Sequence, residues 1–197
     1  MRIACLLPAA GASSRMRGGD KLLELVDGLP CLRVMANRAL AAGLEVIVTL
    51  PNADHPRASV LGDLDLKRIV VHNATDGMSA SLKAGAAFAK SFADGLMILP
   101  PDMPALELGD LEEIANAFLS APNSIVQATT IDANPGHPTL FPKSLLSKFR
   151  DLEGDRGAAS ICLENPDLIL QVKLEDQRAR LDLDTPEDWV KWGASHV

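Results

Sequence analysis

Short apolar runs alternate with longer segments of helical periodicity along most of the chain, and this alternation is the feature that most restricts the fold. The apolar runs predict strands at residues 3–7, 46–50, 69–71, 96–99, 124–130 and 168–172, with a short edge-like strand at 180–183. The periodic segments predict helices at residues 32–42, 56–61, 79–92, 108–119, 143–149 and 157–164, with a last helix from 186, whereas 135–138 is predicted as a loop. Such alternation predicts an α/β fold, with a three-layer, Rossmann-like, doubly wound and mostly parallel sheet.

Length and charge limit the classes of function. The chain has 197 residues, which fits a single domain over 1–197, and 47% of them are hydrophobic, enough for a sizeable core. The 19 Lys plus Arg are outnumbered by 26 Asp plus Glu, and the net charge of −7 argues against a nucleic-acid partner. No apolar run approaches the length of a bilayer span, so the sequence predicts no membrane partner and a cytoplasmic location. The scattered cysteines, Cys5, Cys31 and Cys162, fit reduced buried thiols.

A run of small residues follows the first predicted strand and ends in cations. In residues 8–21, small side chains let backbone N–H groups approach an anion, and Arg15 and Lys21 can contact phosphate oxygens. The run is not a P-loop, because Gly does not precede the lysine and Ser or Thr does not follow it. It also lacks the Gly-x-Gly-x-x-Gly fingerprint, which disfavours an NAD-dependent oxidoreductase. The segment therefore predicts an anion-binding loop, and an ordinary flexible loop is the alternative.

Carboxylates follow two other apolar segments. Asp102 comes just after the strand at 96–99, between prolines, where it suits a hard cation such as Mg²⁺ or caps the next helix. Asp182 and Asp184 are two apart, so on a strand they share one face, although Asp184 could equally cap the last helix. Because ligands bind beyond the carboxyl ends of strands in such sheets, the loops at 8–21, 73–79 and 100–104 are expected to converge.

Six short motifs occur in order along nearly the whole chain. They are P-A-A-G-A-S-S-R-M-R at 8–17 with Lys21, G-M-S-A-S-L-K-A-G at 77–85, D-M-P at 102–104, G-H-P-T-L-F at 136–141, G-D-R-G-A at 154–158 and D-L-D-T-P-E-D at 182–188. In this order they resemble the nucleotidyltransferases of molybdenum cofactor maturation, the MobA-like NTP transferases, and most closely the cytidylyltransferases among them. The resemblance implies the sheet of the nucleotide-diphospho-sugar transferases. Pro8 and Arg17 depart from the family pattern, which has Leu and Gly there.

The resemblance also implies the parts of a site. Arg15, Lys21 and Asp102 are implied as catalytic residues, and Asp102 and Asp184 as ligands of Mg²⁺, with Asp182 as the alternative to Asp184. The implied nucleotide-binding residues are Ala9, Ala10, Gly11, Ala12, Ser13, Arg15, Lys21, Asn73, Gly77, Met78, Ser79 and Ser81. The implied acceptor-binding residues are Gly136, His137, Pro138, Asp155, Arg156 and Gly157.

The implied reaction transfers CMP from CTP to the phosphate of molybdopterin cofactor and releases pyrophosphate. This chain resembles the CTP-using members in having Ala at position 10, whereas the guanylyl-transferring relatives have Gly at that position. No general base is expected, because a phosphate monoester is largely dianionic at neutral pH. The alternatives are GTP as donor, a sugar phosphate or another cofactor precursor as acceptor, and a non-catalytic chaperone that delivers nucleotide or cofactor to a molybdoenzyme partner.

Overall fold

A seven-stranded sheet forms the centre of the computed structural model, which describes residues 1–72, 78–154 and 157–195. The strands of this sheet run in the order β5-β4-β1-β6-β8-β7-β9, and β8 alone is antiparallel to its neighbours. They are β1 (Ile3–Pro8), β4 (Glu45–Leu50), β5 (Lys67–Val70), β6 (Gly95–Ile98), β7 (Ile125–Thr129), β8 (Pro135–Pro142) and β9 (Ile169–Lys173). A separate two-stranded ribbon consists of β2 (Leu25–Val26) and β3 (Leu29–Pro30).

Helices cover both faces of the sheet, so the predicted three-layer α/β fold is confirmed. They are α1 (Cys31–Ala41), α2 (Pro56–Ser59), α3 (Met78–Ala89), α4 (Leu108–Ser120), α5 (Ala159–Glu164) and α6 (Pro186–Ser195), with a 3₁₀ segment at Lys143–Asp151. Alternate residues of β1 serve the two apolar layers: Cys5 and Leu7 pack with α1 and α4, and Ala4 and Leu6 pack with α3. The three cysteines are buried and unpaired, as expected.

Close packing of α3 on β1 depends on one glycine of the second motif. A Cβ at Gly85 would lie 2.4 Å from Cδ2 of Leu6, so a larger residue would push the helix off the strand. Ser79, the predicted first residue of this helix, lies one residue inside it, because the helix begins at Met78. The glycine therefore sets how closely α3 packs on β1.

The secondary structure predicted for two segments was wrong. The expected loop at 135–138 is part of β8, where Pro135 lies at the strand start and Pro138 lies beside the register shift between Gln127 and Thr129. Proline is tolerated at the first residue of a strand and beside an irregularity of the ladder. The expected strand at 180–183 is instead the end of a 3₁₀ turn, Arg178–Arg180, followed by irregular chain.

The strand order reverses beside β1, and this places two loops together. From β1 the chain continues to β4 and β5 on one side, whereas β6 pairs with the other side of β1. The carboxyl ends of β1 and β6 are therefore adjacent, which is where doubly wound sheets bind ligands. Across the described residues, no helix has the length and apolar character that crossing a membrane would require.

Candidate active site

The loops that follow β1 and β6 line one cavity of about 280 Å³, called here the first cavity. It is lined by Pro8, Gly11, Ala12, Ser13, Ser14, Arg15, Lys21, Leu22, Arg57, Met78, Ser81, Pro100, Pro101, Asp102 and Asp184. The loop after β1 and the loop that carries Asp102 therefore line the same cavity. Asp184 reaches the same cavity from the end of the chain, just before α6.

Lys21 joins the two carboxylates at the centre of this cavity. Its Nζ donates to Oδ2 of Asp102 at 2.5 Å and to Oδ1 of Asp184 at 2.7 Å. Burial alone would lower the pKa of the Lys21 ammonium, but the charges and hydrogen bonds of both aspartates raise it above its usual value. The lysine therefore stays charged, and the two carboxylates lie close enough to share one cation.

Asp184 is the more strongly ionised of the two late aspartates. Burial would raise the pKa of Asp184, but the hydrogen bond and charge of Lys21, with the hydrogen bond to Asp182 and the charge of Arg15, lower it. Burial raises the pKa of Asp182, and its hydrogen bond to Asp184 adds to this rise. Arg15 contributes a second ion pair, with Nη1 at 2.5 Å from Oδ2 of Asp184.

The cap of α6 leaves Asp184 available to the cavity. The backbone N–H of Thr185 donates to Oδ2 of Asp188 at 2.9 Å, and the N–H of Asp188 donates back to Oγ1 of Thr185 at 3.3 Å. This reciprocal pair is a capping arrangement in which Thr185 is the cap. The alternative prediction, that Asp184 caps the last helix, is therefore wrong.

The donor set fits a divalent cation of the magnesium type. Asp102 and Asp184 offer carboxylate oxygens beside a phosphate-sized space, and Mg²⁺ is usually bound by one or two carboxylates plus substrate phosphates and water. Within residues 1–72, 78–154 and 157–195 there is no group of three or more His, Cys, Asp or Glu that could form an all-protein cage. The protein side of the site is thus suited to a metal that arrives with its substrate.

Arg57 supports the loop after β1 through hydrogen bonds and an ion pair, and no sequence motif predicts this function. The side chain is 2% exposed, and each guanidinium N–H has a partner. Nε and Nη2 donate to the two carboxylate oxygens of Asp20 at 2.8 and 2.7 Å, and Nη1 donates to the carbonyls of Ala9 and Gly11, both at 2.7 Å. Nη2 also donates to Oγ of Ser13 at 2.9 Å. One buried cation therefore ties both ends of the loop together.

Local structure and charge explain how Arg57 reaches this position. The one-turn helix α2 begins after His55, whose Nδ1 accepts from the backbone N–H of Arg57 at 3.3 Å, and Pro56 takes the first helical position. Burial would raise the pKa of Asp20, but hydrogen bonding and charge from Arg57, with help from the N–H of Leu22, lower it below its usual value. Asp20 is therefore a carboxylate that anchors the loop and does not line the first cavity.

The turn near Arg17 explains why the family pattern favours glycine there. Ser13 and Arg17 have φ of 50° and 52°, the left-handed region, and Gly18 follows at 101°. A glycine would adopt this conformation with less strain than arginine. Nη1 of Arg17 lies 2.9 Å from Oε1 of Glu187 on α6, an exposed ion pair between the loop and the last helix.

A second, larger cavity of about 510 Å³ adjoins the first. The two cavities share Arg15, Lys21, Met78, Pro100, Asp102 and Asp184. Beyond this shared part, the second cavity is lined by residues of β7, β8, the turn before α5, and the segment before α6. Of the expected acceptor-binding residues, Gly136, His137 and Gly157 line it. The junction of the two cavities is therefore formed by the residues expected to catalyse transfer.

Several predicted residues do not line either cavity. Ala9 and Ala10 are buried below the loop, and Ser79 is buried in α3. Pro138 is also buried and lines neither cavity. Four further predicted residues lie outside the described ranges: Asn73, Gly77, Asp155 and Arg156.

His137 is an uncharged member of the second cavity. Burial lowers the pKa of its imidazole, while the charge of Asp102 and a hydrogen bond to the backbone of Ile98 oppose this effect. Its Nδ1 is buried and has no hydrogen-bond partner in the described part of the chain. This orphan atom is a polar group that a ligand could satisfy.

A curated guanylyltransferase is similar to this chain in sequence, and solved structures share its fold. A molybdenum cofactor guanylyltransferase of Burkholderia vietnamiensis is 34% identical over 133 residues, which cover 66% of this chain and 63% of that protein. The structure of Rv0371c from Mycobacterium tuberculosis in complex with manganese has a TM-score of 0.81 and 22% identity, with 97% of both chains covered. A CMP:2-keto-3-deoxy-manno-octonic acid synthetase complexed with CTP has a TM-score of 0.75 and 17% identity, covering 99% and 98%.

The family assignment rests on a match across most of the sequence. The aligned segments span less than two thirds of the curated relatives, 63% of the guanylyltransferase and 30% of the bifunctional protein GlmU of Pelotomaculum thermopropionicum. The model of the MobA-like NTP transferase domain matches residues 5–168, from β1 to the last residue before β9, and so contains the loop after β1 and Asp102. The chain belongs to the MobA-like NTP transferase family.

Proposed function

We propose that this protein transfers a nucleoside monophosphate from an NTP to a phosphorylated small-molecule acceptor and releases pyrophosphate. The observation that carries the proposal is the junction of the two cavities at Lys21, Asp102 and Asp184. One cavity with a small-residue loop suits a triphosphate, and the adjoining cavity suits an acceptor. A reaction between two bound molecules requires such a shared wall.

The residues at the junction suit a reaction between two anions. An oxygen of the acceptor phosphate forms a bond to the α-phosphorus as the bond from that phosphorus to the pyrophosphate oxygen breaks. Arg15 and Lys21 stabilise negative charge on the triphosphate and on the departing pyrophosphate. The acceptor phosphate is already largely deprotonated at neutral pH, so the site needs no base. His137, held uncharged by burial, accordingly serves the acceptor by hydrogen bonding.

Asp102 and Asp184 are the residues that would hold the divalent cation, Mg²⁺ in this proposal. When bound, the ion would neutralise phosphate charge and orient the triphosphate. A similar fold with bound manganese supports a divalent ion of this class. Asp184 is preferred to Asp182, because Asp184 makes both ion pairs and has the lower pKa.

For the substrates we propose CTP and molybdopterin cofactor. The resemblance of Ala10 to cytidylyltransferases and the CTP complex of a similar fold support the donor, and the curated relatives of molybdenum cofactor maturation support the acceptor. The same relatives are guanylyltransferases, which makes GTP the second candidate. The proposal also implies a cytoplasmic enzyme whose product passes to a molybdoenzyme.

Pyrophosphate release tests this proposal. Each of the four NTPs is mixed with the protein and Mg²⁺, with molybdenum cofactor or a sugar phosphate as acceptor. We expect release with CTP and molybdenum cofactor, at least about tenfold faster than with any other NTP, since one hydrogen-bonding contact to the base is worth about a factor of ten.

The pattern of release separates the alternatives. Release with GTP in place of CTP would correct the donor, and release with a sugar phosphate would correct the acceptor. If an NTP binds but no pair of NTP and acceptor releases pyrophosphate, the protein would be a nucleotide-binding chaperone and the enzymatic proposal would be overturned.

A further inference from the structure

We infer that Arg180 binds the anionic, phosphate-bearing end of the acceptor in the second cavity. The inference rests on the proposed function, which makes that cavity the acceptor site. Arg180 lines this cavity with Asp182, whereas Leu181 between them lines a different surface pocket. The residues on either side of Leu181, Arg180 and Asp182, therefore both line the second cavity.

A tight turn produces this arrangement. The backbone N–H of Asp182 donates to the carbonyl of Arg180 at 3.2 Å, and Leu181 has φ of −87° and ψ of 84°. This is an inverse γ-turn, which reverses the chain over three residues. The next residue, Leu183, is buried, and its N–H donates to the backbone carbonyl of Asp102 at 3.0 Å. The turn that carries Arg180 is thus attached to the loop of a proposed metal ligand.

The other side of the turn is attached to β8 through a glycine of the fourth motif. A Cβ at Gly136 would lie 2.0 Å from the carbonyl oxygen of Ala179, so only glycine permits this close backbone contact. Gly136 precedes His137, and Ala179 precedes Arg180. The contact therefore holds the histidine and the arginine at neighbouring places along the wall of the second cavity.

Among the residues that the structure describes, Arg180 is the cation of the second cavity that is available to a new partner. The other arginine and lysine of this cavity, Arg15 and Lys21, are paired with aspartates and also line the first cavity. Arg180 makes no side-chain hydrogen bond or ion pair with any residue in the described ranges, unlike the nearby Arg178, which pairs with Asp110. A free guanidinium presents a planar set of donors that matches phosphate oxygens.

The remaining walls indicate what kind of molecule the phosphate belongs to. Apolar side chains of Leu82, Ile98 and Phe141 line the same cavity, as does Ala158. His137 also lines the cavity, and its buried Nδ1 has no hydrogen-bond partner in the described part of the chain. Gln127 and Thr139 line the cavity as well, so it suits a phosphomonoester with a planar body that carries polar groups at its edge.

Binding of phenyl phosphate tests the inference without requiring turnover. Titration calorimetry compares the wild-type protein with the Arg180→Gln variant and with Arg150→Gln, a matched loss of an exposed arginine that pairs with its neighbour Asp151. We expect the Kd of phenyl phosphate to rise at least about tenfold in Arg180→Gln, because a charge-assisted pair is lost, and to stay unchanged in Arg150→Gln. Arg180→Lys should restore part of the affinity. Equal melting temperatures of the variants would show that the fold is intact.

The result distinguishes this inference from the proposed function. An unchanged Kd in Arg180→Gln, or no binding to the wild-type protein, would overturn the inference even if pyrophosphate release is observed. Absence of pyrophosphate release with every NTP, alongside Arg180-dependent binding, would overturn the proposed function and leave an anion site. In an active enzyme, Arg180→Gln should raise the KM for the acceptor by a similar factor and leave the KM for the NTP unchanged.

Discussion

Replacement of Asp102 by asparagine should reduce pyrophosphate release by about 10³-fold or more. The change keeps the size of the side chain but removes the charge that Lys21 contacts at 2.5 Å. Metal and fixed charges contribute several kcal/mol to phosphoryl-group transfer, and about 1.4 kcal/mol corresponds to a factor of ten in rate. Asp184 remains paired with both Lys21 and Arg15, so the loop should keep its structure.

The measurement compares initial rates and melting temperatures of the variant and wild-type proteins. Asp167→Asn is the matched control, because Asp167 is exposed and lines neither cavity. The control should release pyrophosphate at the wild-type rate. A folded Asp102→Asn protein with nearly wild-type turnover would show that Asp102 has no part in the reaction.

Replacement of Arg57 by methionine should lower the free energy of unfolding by about 3–5 kcal/mol, the range for breaking a buried ion pair. The variant leaves the Asp20 carboxylate and the carbonyls of Ala9 and Gly11 without their partner. Each buried polar group that loses its hydrogen bond adds to the loss. Because these groups belong to the loop after β1, NTP binding should weaken in the folded fraction.

Urea unfolding measures this effect. Asp20→Asn in the Arg57→Met background should recover part of the stability, since it removes the unpaired charge, and the double variant gives the coupling between the two residues. Arg150→Met, at an exposed pair with Asp151, should change stability by less than about 1 kcal/mol. If Arg57→Met unfolded at the wild-type urea concentration, the guanidinium would not be what holds the loop.

The apolar runs predicted most of the sheet because its central parallel strands are covered by helices on both faces. In β1, β4 and β6, nearly every residue is buried on both faces, which yields the short apolar runs of the sequence. The start of β8 was missed because Pro135 and Pro138 mark a loop in sequence, whereas in the sheet they lie at a strand end and beside an irregularity. The sequence around Arg180 has strand-like alternation, but tertiary contacts at Ala179 and Leu183 impose a turn.

Site residues that directly follow strands could be predicted from the sequence. Residues that contact the site from a distant part of the chain could not. Lys21 and Asp102 come from loops at adjacent strand ends, so topology alone brings them together. Arg57 lies in an unremarkable helical segment, and no local pattern separates it from solvent-exposed arginines. Its importance depends on the carbonyls it meets, which only the folded chain assembles.

Binding of Mn²⁺ with and without CTP, followed by electron paramagnetic resonance, addresses the central arrangement of Lys21, Asp102 and Asp184 most directly. We predict that CTP tightens Mn²⁺ binding to the wild-type protein, and that Asp184→Asn and Asp102→Asn each weaken the ternary complex at least about tenfold, since a hydrogen-bonded charge contributes about 1.5–3 kcal/mol. Mn²⁺ and CTP that bind equally well to both variants would contradict the account, because the triphosphate would then lie elsewhere.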